Sequence, residues 1–382
     1  MNIWVFHQTI KKQNFILMKQ FILYSFILFF ATCKKSDNPP ANLSSYKDNA
    51  FTDYFKRTSG WVAGDGGFSI AFNNGNSLWV WGDSHIGNYD PATKTVPCLF
   101  QVRNAGLVMG ISNPPNQTTL ISTASPASYF YYGNDNSYWF WPGAGYQNGD
   151  TAYVFLSRIR ATDAGGLGFT GVDANYVAKI KVGDMSVAGY SILPSKNGIV
   201  FNNAIIKDGS YNYIYGTKGN GFGNDVFVAR FPSVNVYAAW EYYGTGGWGK
   251  NLALIQKVHS EFTSSFNVCK IKNKYVLITT EFSVGCDQGK NIFSYTSDQP
   301  YGPFINKKTI WTVDDTLQGH YPFFYFANTH PEYDNGKDEL LITYCINSYG
   351  TCVNTCVGNR KNPDYYRPKA IRVPYKVIDS SL

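Results

Sequence analysis

The chain has 382 residues, a net charge of +7, 17% aromatic residues and only 15% charged ones. That length fits one large β domain or two ordinary domains. The weak positive charge comes without a Lys/Arg block, and the aromatics sit among Gly and Asn rather than among cations, which excludes a nucleic-acid surface.

In chain order, the first element is an export signal. Lys19 precedes an apolar run, Phe21 to Ala31, followed by Cys33. The run is too short for an ordinary membrane span and has the length of a signal h-region. Met18 is read as the true start. Phe30-Ala31-Thr32-Cys33 resembles a lipobox, so residues 1–32 are assigned to the signal peptide and Cys33 to lipidation, with cleavage as a plain secreted protein as the alternative. Residues 33–59, with Lys34-Lys35-Ser36-Asp37-Asn38-Pro39-Pro40, read as a flexible tether, and residues 60–378 as the folded domain.

Residues 64–83 come next and read as one β-hairpin. Asn74-Gly75 suits a two-residue type I′ turn. Asp65 and Asp83 stand at its open end among Gly64, Gly66, Gly67 and Gly82. If Asn73 pairs with Asn76, regular pairing points the two carboxylates to opposite faces. One bulge at Gly66-Gly67 would bring them opposite each other. Two carboxylates that close do not both ionise normally, which is how acid–base pairs are tuned. The bland alternative is an aspartate that caps a turn or forms an ion pair.

Five similar segments follow one another: 77–83, 151–157, 211–217, 274–280 and 339–345, with starts 74, 60, 63 and 65 residues apart. Each follows a turn signal such as Asn148-Gly149 or Asp208-Gly209, and no long helical periodicity lies between them. A repeated antiparallel meander is the signature of propeller blades. The expected fold is therefore all-β, a five-bladed β-propeller, with a many-stranded sandwich as the alternative. Polar residues at blade starts would converge on the axis: Asn203 for blade 3, Glu261 for blade 4, His320 and His330 for blade 5.

Apart from Cys33 there are six cysteines, which permits disulfides in an exported protein. Cys345, Cys352 and Cys356 lie close enough in sequence for a local bridge. Their spacing without nearby His does not match a zinc site. No metal or cofactor motif appears, and a channel cation such as calcium is left open. Sugar-stacking candidates are Tyr146 and Trp248 in Gly-rich loops. Trp79, Trp81, Trp139 and Trp141 read as packing or platform residues. His85, Arg103, Asn104, Asn203 and His330 are candidate substrate contacts, although a lone His is more often structural.

Asp65-Gly66-Gly67 with Trp81-Gly82-Asp83, Tyr213-Ile214-Tyr215-Gly216, Val228-Ala229-Arg230 and Tyr301-Gly302-Pro303-Phe304 resemble five-bladed propeller glycosidases. The likeness is nearest to an exported bacterial family labelled as a domain of unknown function, some relatives of which are endo-D-arabinofuranases. It implies glycoside hydrolysis of a polysaccharide, furanosidic and arabinan-like, by carboxylates in an axial funnel. Within it, Asp65 matches the base of the wider clan and Asp83 the second carboxylate of the nearer family. No short motif marks the general acid. Glu261, beside a Ser/Thr-rich run and Phe266, is the choice, expected about 5–10 Å from an aspartate. Glu241, Glu281 and Glu332 are the competitors. The likeness also implies an outer-membrane lipoprotein held through Cys33. A non-catalytic surface glycan-binding lipoprotein is the alternative.

Overall fold

The computed structural model describes residues 44–382, except 123–126, 132, 134, 136, 164–167, 194–196, 222, 262, 264 and 348–351, and except the side chains of 173 and 174. Among the described residues helix is confined to Asn49–Asp53, Tyr375–Ile378 and two 3₁₀ turns. The remainder is strand and loop.

The chain enters through a short strand, β1 (Tyr46–Lys47), and then builds blade 1 from β2 (Trp61–Ala71), β3 (Asn76–Ile86), β5 (Ala105–Gly110) and β6 (Gln117–Leu120), with β4 (Val96–Pro97) in the loop ahead of β5. Blade 2 is β7 (Tyr138–Asn148), β8 (Thr151–Ala161), β9 (Phe169–Lys181) and β10 (Val187–Leu193). Blade 3 is β11 (Val200–Asp208), β12 (Tyr211–Gly219), β13 (Asn224–Pro232), β14 (Glu241–Gly244) and β15 (Gly247–Gly249), with β16 (His259–Glu261) added along β13. Blade 4 is β17 (Phe266–Ile271), β18 (Lys274–Thr280), β19 (Asn291–Ser297) and β20 (Ile305–Thr312). Blade 5 takes β21 (Phe323–Thr329), β22 (Glu339–Asn347) and β24 (Lys369–Pro374), and β1 completes it. A last short strand, β23 (Arg360–Lys361), pairs with β4.

The first strands of the blades touch in a closed cycle, β2–β7–β11–β17–β21 and back to β2. This is a five-bladed β-propeller, and the five repeated segments of the sequence are the second strands of its blades. Closure uses both ends of the domain, since β1 pairs with β24 through Tyr46↔Arg372 and Lys47↔Ile371. The core lies between blades, where aliphatic and aromatic faces of adjacent sheets meet.

The segment read as a tether to residue 59 ends earlier. Asp48 caps the helix by accepting the Phe51 N–H, and its other oxygen takes the Arg372 guanidinium at 3.0 Å. Phe51 and Phe55 are buried against Trp79, and Phe55 also meets Trp61 and Trp81 edge-on at 6.1 and 5.5 Å. These rings give residues 44–59 a share of the blade 5–blade 1 core. The local bridge expected among Cys345, Cys352 and Cys356 is also corrected: Cys98 pairs with Cys356 and Cys286 with Cys352, while Cys345 and Cys269 are buried thiols. Cys33 lies outside the described residues.

If residues 44–59 belong to the core, Phe55→Ala should destabilise the domain by about 3–5 kcal/mol. Chemical denaturation measures this, and a change under about 0.5 kcal/mol, as expected of an exposed site, would return the segment to a tether.

Candidate active site

The geometry of the site begins at the far end of the β2–β3 hairpin. The expected two-residue turn is not what forms. Phe72 N–H donates to the Asn76 carbonyl at 2.8 Å, and Gly75 N–H to the Phe72 carbonyl at 3.2 Å. The loop is therefore Asn73-Asn74-Gly75, with Gly75 at φ 81°, as in three-residue hairpins that end in a left-handed glycine. That extra loop residue moves the register by one, giving Ala71↔Ser77, Phe68↔Val80 and Gly64↔Ser84. Gly66 pairs with Trp81 between two local irregularities, and Gly66 and Gly67 sit at φ 91° and 72°. Asp65 and Asp83 fall in the same irregular window. The turn sets the register and the glycines absorb the distortion, whereas the sequence reading assigned both tasks to one bulge.

Asp65 is half-buried in the first half of the innermost strand of blade 1. Its Oδ2 accepts hydrogen bonds from Tyr325 of β21 at 2.7 Å and from Tyr366, just before β24, at 2.9 Å. The Tyr325 hydroxyl in turn accepts from Asn347 Nδ2 at 2.9 Å. Backbone N–H groups of Asp65 and Asp83 also reach the Asp65 carboxyl. Gly82 leaves room for it, because a Cβ there would stand 2.4 Å from Asp65 Oδ1.

Asp83, 9% exposed, has fewer and longer contacts. Trp141 Nε1, from the inner strand of blade 2, donates to its Oδ1 at 3.3 Å. The Arg103 guanidinium stands 3.6 Å from Oδ2, held over the Trp139 ring at 4.1 Å. Burial, followed by the neighbouring Asp65 charge, pushes Asp83 up to about 7, with Arg103 and Trp141 pulling the other way. Burial also raises Asp65, opposed chiefly by the two tyrosine hydroxyls. Donors aimed at a carboxylate favour its ionised form. Asp65 has four of them and ionises first, leaving the pair's remaining proton on Asp83 near neutral pH.

Other candidates are placed as follows. Arg103 joins the pair. His85 is fully buried beside it, edge-on to the Tyr366 ring at 5.9 Å, and burial lowers its pKa to about 3. Asn104 is a structural clamp: its side chain bonds Phe130 N–H at 2.7 Å and the Phe130 and Phe140 carbonyls at 2.9 Å. Asn203 lies at the start of β11, where its side chain accepts from Thr217 at 3.5 Å. His330 is buried between Ser69 and Thr343, at 2.6 and 2.8 Å, and stacks on Trp79 at 4.2 Å. His320 lies in a loop of blade 4–blade 5, paired with Asp287 at 2.6 Å. Trp248 packs in the outer hairpin of blade 3 against Arg230, Tyr243 and Tyr301.

Glu261 is not with the aspartates. It lies on β16, along the third strand of blade 3, and binds Tyr295 and Lys307 of the outer strands of blade 4. The run from His259 adds a strand to blade 3, and blade 4 opens only at Phe266. Glu241 pairs with Arg230 at 2.7 Å, Glu281 accepts the Lys290 and Asn291 N–H groups, and Glu339 takes the Tyr46 hydroxyl. Glu332, pushed up to about 6 by burial, lines a cavity of about 460 Å³ with Ser69, Tyr146 and Lys270. That cavity collects the far halves of the inner strands, at the end of the axis opposite Asp65. These five are all the glutamates of the chain, and the carboxyl whose charge acts on Asp83 is Asp65. Tyr325 and Tyr366 escaped the sequence reading, because tyrosines among 29 carry no local signal until the ring closes. Among the described residues, no group of three or more His, Cys, Asp or Glu side chains is placed to hold a metal.

The profile of a family described as a domain of unknown function, DUF5005, matches residues 48–375. The chain belongs to this family. No curated protein matches it significantly. Among solved structures, a hydrolase candidate from Bacteroides ovatus aligns with a TM-score of 0.67 at 21% identity, over 88% of this chain and 92% of that one. A xylan β-1,4-xylosidase from Bacillus halodurans aligns at 0.48 and 11% identity, over 82% of this chain and 53% of that one. An α-L-arabinofuranosidase from Podospora anserina, solved with cellotriose, aligns at 0.40 and 11% identity, over 86% and 94%. The DUF5005 chain thus shares its fold with the B. ovatus protein over the aligned 88% of its length.

The raised Asp83 pKa has a stability consequence. Between its unfolded value and about 7 the native DUF5005 protein binds the extra proton, so this contribution is full at low pH and is lost as pH rises through about 7. His85 and His330, both lowered to about 3, act in the opposite direction over part of that window. The difference between Asp83→Asn and wild type isolates the carboxyl. The variant should gain stability relative to wild type from pH 5 to pH 8 in denaturant titrations, and a pH-independent difference would contradict the assignment.

Proposed function

We propose that this DUF5005 protein is an exported glycoside hydrolase that cleaves a furanosidic, arabinan-like polysaccharide. The observation that carries the reading is the Asp65/Asp83 pair, a half-buried and a buried carboxyl at one mouth of a propeller axis with unequal hydrogen bonding. The family likeness drawn from the Asp65-Gly66-Gly67 and Trp81-Gly82-Asp83 motifs points the same way, and the B. ovatus neighbour is described as a hydrolase candidate.

The chemistry divides between the two groups. Asp83 holds a proton near neutral pH and donates it to the leaving glycosidic oxygen. Asp65, ionised under its tyrosine and backbone donors, serves as the carboxylate that activates water or attacks the anomeric carbon. Arg103 keeps Asp83 from rising further and, once the proton has left, faces the new carboxylate. Trp141 donates to Asp83 in either state. Export fits the two disulfides, which form and persist outside the reducing cytosol. We extend the proposal to lipidation at Cys33 and an outer-membrane location.

The test is a screen of the purified protein on arabinans, arabinogalactans and xylans. Wild type should release reducing sugar from an arabinan, and Asp65→Asn or Asp83→Asn should each lose about 10²–10⁴-fold. Activity should decline as pH rises through the Asp83 value of about 7. Tight binding with no turnover on any glycan would favour the glycan-binding lipoprotein, and equal rates in wild type and both variants would end the catalytic reading.

A further inference from the structure

Between β22 and β24 the chain crosses the mouth that holds Asp65. Residues 352–368 of this strap are tied down at several points. Cys352 bonds to Cys286 in the blade 4 loop after β18, and Cys356 to Cys98 in the blade 1 loop ahead of β5. β23 pairs with β4 through Arg360↔Pro97 and Lys361↔Val96. Arg360 donates to Thr95 Oγ1 at 2.7 Å and to the Thr95 and Asn88 carbonyls at 2.7 and 2.9 Å. Asn354 and Gln318 exchange hydrogen bonds at 2.7 and 2.8 Å. Arg367 reaches the Val62 carbonyl at 2.8 Å, three residues before Asp65. A long connection fastened to blades 1 and 4 delivers one side chain to the carboxyl pair, Tyr366, whose hydroxyl meets Asp65 Oδ2 at 2.9 Å.

We propose that Tyr366 is a positioning residue that fixes Asp65 and favours its ionised form, and that the disulfide-clamped strap exists to hold Tyr366 there. The inference rests on Asp65 being the ionised member of the pair in the proposed reaction. The two oxygens of Asp65 have different surroundings. Tyr325 and Tyr366 both take Oδ2, one from an inner strand and one from the strap, and Oδ1 is left facing Gly82. A carboxylate held by two hydroxyls on one oxygen cannot rotate, and its other oxygen keeps a fixed direction. The groups facing Asp65 are Tyr325, Tyr366, Asp83 and the buried Cys345 thiol. Behind Tyr366 stand His85, edge-on to its ring, and Lys361, whose ammonium lies 4.9 Å from the ring centroid. Tyr366→Phe retains that ring and its neighbours and removes only the donor.

The experiment is a carboxyl ¹³C NMR titration of the full chain, with the Asp65 signal assigned through Asp65→Asn. Tyr366→Phe should raise the Asp65 midpoint by about 1–2 pH units, the size expected for one lost hydrogen bond to a charged group. Cys98→Ser with Cys356→Ser should raise it in the same direction. On a cleaved glycan, Tyr366→Phe should lower kcat at the acid side with KM little changed. An Asp65 midpoint unmoved in Tyr366→Phe, with the fold intact by circular dichroism, overturns the proposal. An Asp65→Asn variant as active as wild type overturns the role given to Asp65 in the proposed reaction instead, so the two failures are distinguishable.

Discussion

One residue of loop length governs the site. With two residues at the β2–β3 tip, Asp65 and Asp83 would alternate to opposite faces of the sheet, because side chains on a strand alternate with period two. With three, closed by Gly75 in the left-handed region, the two carboxyls share a face and a window. The rest follows from that choice. Gly66 and Gly67 must take positive φ to absorb the distortion, Gly82 must lack a Cβ, and the neighbouring blades must supply donors. A register is strongly specified where a face is buried, and here both faces are, with Trp79 and Trp81 on one and Ile70, Leu78 and Val80 on the other. The tryptophan core thus fixes the aspartates in place at a distance from them.

Two carboxyls cannot be buried side by side without compensation. A buried charge is tolerated when hydrogen bonds replace its water, and the protein supplies them unequally. Asp65 receives two hydroxyls and two backbone N–H groups, while Asp83 receives one indole N–H and a guanidinium beyond ordinary hydrogen-bond distance. Unequal solvation by the protein separates the two ionisations, which is the pattern that assigns base and acid in carboxylate pairs. Trp139 carries the Arg103 guanidinium over its ring, and Trp141, which donates to Asp83, packs edge-on against Trp139 and Phe169.

The architecture was legible because it is written in local signals. Turn pairs such as Asp208-Gly209 and strand segments such as Tyr211–Thr217 recur, and each blade repeats them. Asp65 and Asp83 were legible for the same reason, since they sit on one hairpin. Glu261 was misplaced because a blade start and a strand added to the preceding blade look alike in sequence. His259-Ser260-Glu261 is polar throughout and carries no alternation to tell the two apart, and only its pairing with Asn224 to Val226 decides. The chain entry, residues 44–59, looked like a tether because Phe51 and Phe55 are too few to form a pattern. Their burial depends on tryptophans that follow them and on Ala370 at the far end of the domain.

What local signals cannot convey is closure. Tyr325 and Tyr366 come from blade 5, and Trp141 comes from blade 2. The two tyrosines reach Asp65 only because blade 5 returns to blade 1 and β1 seals it, whereas Trp141 meets Asp83 from the next blade. Tyr325 is 260 residues from Asp65 and Tyr366 is 301, so the donors that determine which carboxyl ionises arrive with the last blade. A ring that failed to close would keep the hairpin, its three-residue loop and both aspartates, yet lose the two hydroxyls on Asp65. The distinction between the two carboxyls is therefore a property of the closed ring. This explains the reinforcement at the closing seam, where a strand from the chain's entry, a buried Asp48–Arg372 ion pair and a disulfide from blade 1 to the strap all bridge the same junction.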